Sequence, residues 1–445
     1  MATIIVASEP EDINIVHKGF ELLKVAESVK KAGITWQGTV PIQMIEGLTF
    51  GIWQNVDSVR KLLAVDAAVG GKLPSRGAYR FLADEGHDLR DVLRAGIHPE
   101  KTRPSDLFIL DESVNQRTGR KMEGTSLVHS TTTRRRVLGH CMLNAFHSGA
   151  EVSGFVDFEM KMNKKTKKGY RPRGRPTPKV SRALNLPLRA LALALLDHER
   201  ARGNQAETAV MDSGFLSLAF CRRLRRRGWQ WLIAGKTDTP VVYKEKKTTL
   251  KALFNGVRSL KSAGKSASYR VLNVVYPGYG PVRAFFVRFV DRHGDSHELY
   301  LLTSLSKKRA SARSVLRKYL RRWDIELGHR ETKETFNLRG YHGHSLHGHI
   351  NFYALVLLAH QVAEAVLHLW EVEQCEAEVK VATLALRVRL ATMQQAAAMQ
   401  NTTTTTTCEN CGSSVATNCT NSPNMMGTGM AAGATSQTMM GCGVQ

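Results

Sequence analysis

The chain has 445 residues, enough for two or three domains around a sizeable core. Its 63 Lys and Arg against 39 Asp and Glu leave a formal charge of +24, which points to a polyanionic partner, nucleic acid first and anionic membrane second. The membrane reading fails, because MATIIVASEPEDIN meets acids before a signal-peptide core forms and no apolar run approaches about 20 residues; a soluble cytoplasmic protein is expected.

Residues 1–104 read mainly as helices. Within them, VDSVRKLLAVDAAVGGKLPSRGAYRFLADEG gives a helix, a Gly70-Gly71 break and a second short helix bearing Arg76, Tyr79 and Arg80. Helix, tight break and basic second helix is the outline of a helix-turn-helix, so a DNA-binding region is expected, although any helical hairpin gives the same outline.

From 105 to 237 strands and helices alternate. DLFILDES is an apolar run reaching Asp111 and Glu112, and GHCMLNAFHS and EVSGFVDFEMKM read as further strands. The stretch KMNKKTKKGYRPRGRPTPKVSR has no acid and cannot bury a core. It reads as an arm for phosphates through Lys164, Lys165, Lys167, Lys168, Arg171, Arg173 and Arg175, with Tyr170 able to stack on a base; a solvated linker is the plain alternative. A helix through LPLRALALALLDHERARG leads to ETAVMDSGF, an apolar strand ending on Asp212. LSLAFCRRLRRRG is a basic-faced helix, and WQWLIAGKTD a strand.

Residues 238–304 are strand-rich, with hairpin-type breaks at PGYG and RHGD. Residues 305–375 return to helices, and INFYALVLLAHQVAEAVLHLW, with His360 and Glu364 inside it, reads as a buried core helix. From 376 to 445, after a short helix-like stretch, composition turns low-complexity and disorder is expected. A shifted reading frame is one account of that tail. The scattered cysteines make no disulfide framework, and Cys408-x2-Cys411 is half a zinc site without a second pair.

Two constellations carry chemistry. Tyr319, Arg322, Glu326 and Lys333 are spaced so that one helix places them within roughly 60° of one another. Leu316, Leu320, Trp323 and Leu327 form an adjacent apolar stripe expected in the core, Trp323 included. The plain alternative is an exposed helix with an Arg322–Glu326 pair. Asp111 and Asp212 each close an apolar strand, so both reach one sheet edge, where Glu326 can join them. Three converging carboxylates repel unless divalent cations neutralise them, and hard oxygen ligands suit Mg²⁺ or Mn²⁺. Two such ions about 3.5–4 Å apart support in-line phosphoryl transfer. Otherwise Asp111 merely starts a turn, and Asp212 with Ser213 caps a helix.

On LDESVNQRTGRKMEG, VMDSGF and YLRRWDIELGHRETK, the chain resembles bacterial insertion-sequence transposases of the DDE class, in the family four group with the signature Tyr-x2-Arg-x3-Glu-x6-Lys. The resemblance covers roughly 60–370. It implies an α/β fold: an RNase H-like core, a mixed sheet flanked by helices, with a mainly β insertion and an N-terminal helical domain. It implies Asp111, Asp212 and Glu326 as catalytic metal ligands for two Mg²⁺ (or Mn²⁺) ions per active site. Tyr319, Arg322 and Lys333 would hold phosphates. The partners implied are double-stranded DNA, as terminal inverted repeats and target, and a second copy of the chain in a paired-end complex in a bacterial cytoplasm. Nothing in the residues decides whether a hairpin intermediate is used. The His-rich run His342, His344, His347 and His349 departs from the pattern and reads as a loop running into the core helix rather than a metal site. Two other readings stay open: a disabled copy that only binds transposon ends, and a metal-dependent nuclease of the same fold.

Overall fold

The computed structural model describes residues 12, 14–36, 40–69, 73, 75–118, 122–130, 134–162, 186–255, 259–262, 267–290, 294–372 and 379–409. The basic arm with Lys164, Lys165, Lys167, Lys168, Tyr170, Arg171, Arg173 and Arg175 lies outside them, as do Gly70, Gly71, Cys375 and the tail from 410.

Six helices come first: α1 (Ile15–Leu22), α2 (Val25–Lys31), α3 (Pro41–Trp53), α4 (Val59–Ala68), α5 (Ser75–Ala83) and α6 (Arg90–Ala95). Then follow β1 (Leu107–Gln116), β2 (Ser126–Ser130), β3 (Arg135–Ser148), β4 (Ser153–Lys161), α7 (Leu188–Ala201), β5 (Thr208–Met211), α8 (Leu218–Arg226) and β6 (Gln230–Gly235). Next are β7 (Pro240–Tyr243), β8 (Lys246–Thr249), α9 (Leu250–Phe254), β9 (Lys261–Ser262), β10 (Ala267–Tyr276), β11 (Gly280–Val290) and β12 (Ser296–Thr303). The chain closes on α10 (Ala312–Leu320), α11 (Arg322–Glu334), α12 (Leu346–Val372) and α13 (Val381–Glu409). Ser58, Ser217, Thr249 and Ser311 start α4, α8, α9 and α10 by accepting from the backbone N–H three residues on, which satisfies an orphan donor at each N-terminus.

The strands β4-β3-β1-β5-β6 lie side by side, with β1 antiparallel to β3 but parallel to β5, and β5 parallel to β6. Helices cover both faces, and the result is an RNase H-like core. The sheet does not end at β6. Tyr300–Thr303 of β12 pair antiparallel with Leu232–Gly235 of β6, and β11, β10, β7 and β8 continue outward, so the β insertion extends the same sheet.

Strand alternation sorts side chains into two cores. Leu107 and Ile109 of β1 and Val210 of β5 face the helices α1–α6, α11 and α12. Phe108, Leu110 and Met211 face the opposite core with α7, α8 and Trp229. By the same parity Asp111 and Asp212 lie on the first face.

α12 explains the N-terminal region. Its mean hydropathy of 1.5 and its length suffice for a membrane span by composition alone, yet 78% of the tested window is buried inside the protein. A helix apolar all round must be covered on every side. The sheet covers one side and α1–α6 the other, so Ile15, Phe20, Leu48, Phe81 and Leu93 share a core with Phe155 and Leu355. The N-terminal helices α1–α6 thus belong to one compact unit with the sheet, and that unit reaches residue 399. Arg80 on α5 is exposed, while Ala78, Phe81 and Leu82 are buried; Arg76 lies on α5, and its side chain is outside what is described.

Three further expectations change. β1 continues five residues past Asp111, which sits inside the strand rather than closing it. The signature is carried by two helices, because the chain tightens at Arg321, where Asp324 N–H bonds the Arg321 carbonyl at 3.0 Å. The short helix-like stretch expected after 376 is longer than that reading: α13 reaches Glu409 and buries Val381, Leu384, Ala385 and Val388. Arg389 also donates to the carbonyls of Trp53 and Thr335, each at 2.7 Å. Its apolar residues recur at helical spacing, so this stretch has a face to bury. Residues from 400 belong to a second unit.

Candidate active site

Leu110 pairs with Met211 in parallel register, so the next residues, Asp111 and Asp212, leave adjacent strands side by side on the face that α11 covers. α11 approaches closely because of Gly328. A Cβ there would stand 2.7 and 2.9 Å from the fully buried ring of Phe155 on β4. Glu326, on the same helix, lies within electrostatic reach of Asp111. Three segments distant in sequence thus contribute one carboxylate each.

The electrostatics show the grouping. Burial, with added repulsion from Asp212 and Glu326, pushes the Asp111 carboxyl up to about 7 despite the nearby Arg322 guanidinium. Asp212 is raised too, first by burial and then by Glu112, against a bond from Gly214 N–H and the pull of Arg322. That Gly214 bond, at 2.9 Å, makes Asp212 the cap of the short turn Ser213–Phe215. Capping and membership of the carboxylate group coexist in one side chain.

Arg322 is the resident cation. Its Nη2 lies 2.6 Å from Glu326 Oε1, and its guanidinium sits 5.8 Å from the centre of the buried Tyr319 ring. Burial opposes its charge, but Tyr319, Glu326 and Asp111 hold it above its ordinary pKa. Among the described residues its Nε has no partner. Burial and Arg339 lower Lys333, while Asp111 favours its charged form. Arg322, Glu326 and Lys333 are thus within electrostatic reach of Asp111, and Tyr319 within that of Arg322, Asp212 and Glu326.

The acids stand apart, however. Among the described residues, the trio of potential ligands whose donor atoms all lie within 4.8 Å of one another is Glu331, His360 and Glu364, not Asp111, Asp212 and Glu326. Like charges separate where only a guanidinium stands among them. Hard oxygen donors, a deficit of positive charge and an Asp111 carboxyl held protonated near neutrality all fit a site for divalent cations.

The apolar stripe is a correction. Leu316 is buried, but Leu320 is 59%, Trp323 48% and Leu327 47% exposed, so Trp323 is not core. α11 buries Ile325, Gly328, His329 and Thr332 instead, because its close contact with Phe155 demands small or flat residues.

One neighbour had escaped notice. His329 Nδ1 lies 3.7 Å from Asp111 Oδ2, and its Nε2 accepts from the Asn144 amide at 3.0 Å. Burial lowers it to about 3, so the ring is neutral and stacked on Phe155. Its position three residues after Glu326, on the same helix face, was the available signal. Elsewhere His342 and His347 bond the carbonyls of Asp57 and His87, and His349 is buried against Tyr341; none of the three belongs to a metal-ready trio among the described residues.

A pH dependence follows. The raised Asp111 carboxyl burdens the fold as pH climbs from the ordinary carboxylate range through about 7, and a bound cation must displace its proton. Mg²⁺ affinity should therefore strengthen up to about tenfold per pH unit below 7 and then level off. Calorimetry in buffers of different ionisation enthalpy reads the released proton; its absence near pH 6 would count against a shared carboxylate role.

Residues 189–362 match the family described as transposase DDE domain, and residues 63–252 match the one described as DDE superfamily endonuclease. The two spans are similar to these families and together run from 63 to 362. No curated protein sequence matches. Among solved structures, the cryo-EM structure of the piggyBac transposase synaptic complex with hairpin DNA is similar over 94% of this chain and 87% of that one, at 9% identity and a TM-score of 0.42.

Proposed function

We propose that the DDE transposase domain of this chain cleaves DNA at terminal inverted repeats and joins the freed 3′-OH to target DNA, as a homodimer on paired ends in a bacterial cytoplasm. The observation that supports this reading is that Asp111 lies within electrostatic reach of Asp212, Glu326, Arg322 and Lys333 in a chain of charge +24.

Asp111, Asp212 and Glu326 would hold two Mg²⁺ or Mn²⁺ ions. When bound, such ions activate an attacking oxygen and stabilise a departing one. Arg322 then leaves Glu326 for a phosphate, Tyr319 keeps the guanidinium aimed by packing under it, and Lys333 holds a second phosphate. His329, neutral and fixed by Asn144, orients the Asp111 carboxylate. The family four assignment rests on the spacing Tyr-x2-Arg-x3-Glu-x6-Lys.

The test is a labelled duplex carrying the DNA that flanks the gene, incubated with Mg²⁺. Joined products support a transposase. Cutting without joining means a nuclease of this fold, and a mobility shift without cutting means a disabled copy. In the same assay, Lys333→Ala should weaken end binding and reduce the salt slope by about 0.9, one phosphate contact. An unchanged slope removes Lys333 from the phosphate-binding set.

A further inference from the structure

Beyond the three acids, α12 carries an unexpected polar ridge. His360, Glu364, His368 and Glu371 fall on one face of this otherwise apolar core helix. His368, Glu364 and Glu371 line an open cavity of about 450 Å³, together with Glu331 and Arg321. At the inner end of the ridge, His360 is 1% exposed and its Nε2 lies 2.9 Å from Glu331 Oε2 and 3.9 Å from Glu364 Oε1.

Hydrogen bonding leaves this trio incomplete. His360 Nε2 is within hydrogen-bond distance of Glu331 but not of Glu364. Among the described residues Glu364 has no hydrogen-bond donor, and His360 Nδ1 has no partner that would fix the tautomer. The cavity gives an ion a way in to these three side chains.

We propose that Glu331, His360 and Glu364 form a second metal site, separate from Asp111, Asp212 and Glu326, for a transition dication such as Zn²⁺. One imidazole nitrogen and two carboxylate oxygens suit such an ion, with a remaining position open to water from the cavity. His329 and the Phe155 ring lie between the two sites: His329 approaches Asp111, while Phe155 stacks on it and meets the His360 ring at 5.2 Å. The ion would staple α11 to α12 and so fix the helix that carries Glu326.

The test uses the full-length chain with Asp111→Asn, Asp212→Asn and Glu326→Gln combined, so that only a second site remains, titrated with ZnCl₂ in a calorimeter. One equivalent of Zn²⁺ should bind and raise Tm. Adding Glu364→Gln, at a side chain 30% exposed, should weaken that equivalent at least tenfold and cancel the Tm rise. Glu331→Gln should do the same, with circular dichroism checking that the fold is kept. The site is overturned if the triple variant binds no zinc, or if its zinc is indifferent to both added substitutions, as a site built from tail cysteines would be.

Discussion

Asp111→Asn should lower strand cleavage by about 10³-fold or more while leaving binding to the end duplex within a few-fold. Asn keeps the shape and one oxygen, but it lacks the charge that a divalent cation requires. Losing about 4 kcal/mol of transition-state stabilisation corresponds to that factor. The substitution also relieves repulsion, since the Asp111 carboxyl is pushed up to about 7 by burial and by its acidic neighbours. The variant should therefore be at least as stable as the parent at neutral pH, and the lost activity will not be a folding artefact. Gel assays of cleavage and of mobility shift, run on one preparation, read both quantities. Cleavage within tenfold of the parent would remove Asp111 from the chemistry.

Arg117→Met should lower stability by about 3 kcal/mol or more, seen as a Tm drop of several degrees. Arg117 follows β1, is 5% exposed, and donates to the carbonyls of Leu338, Arg339 and Tyr341 and to the Tyr353 hydroxyl. Met fills similar volume but removes the donor to the Arg339 and Tyr341 carbonyls, while Asn115 still serves the Leu338 carbonyl and the Tyr353 hydroxyl; an acceptor left dry costs more than its bond contributes. These carbonyls belong to the turn between α11 and α12, so cleavage should fall along with Tm. A Tm unchanged to within a degree would show that the turn holds without this guanidinium.

Much of the site was legible in the residues because it obeys simple periods. Alternation along β1 and β5 forces Asp111 and Asp212 to one face, and the spacing of Tyr319, Arg322, Glu326 and Lys333 survives the tightening at Arg321. What was not legible depends on the partner surface. A helical wheel finds the stripe Leu320, Trp323 and Leu327 but cannot say that Phe155 will select the opposite, smaller face with Gly328 and His329. The Arg321 tightening has no Gly or Pro to announce it. α13 had a readable apolar repeat at Val381, Leu384, Ala385 and Val388, hidden by the threonine run that follows. The packing of α1–α6 onto α12 was implicit in the long apolar run of that helix, a clue about burial that says nothing of what does the burying.

The pairing of β12 with β6 has a mechanical consequence. Hydrogen bonds along Tyr300–Thr303 weld the outer strands to the sheet holding Asp111 and Asp212, and β12 runs on within nine residues to α10, the helix leading to Glu326. A load on the outer strands travels as through a cantilever, with no hinge at β6 to absorb it. A displacement of the outer strands would therefore carry the base of α10, and with it the approach to Glu326, as one piece.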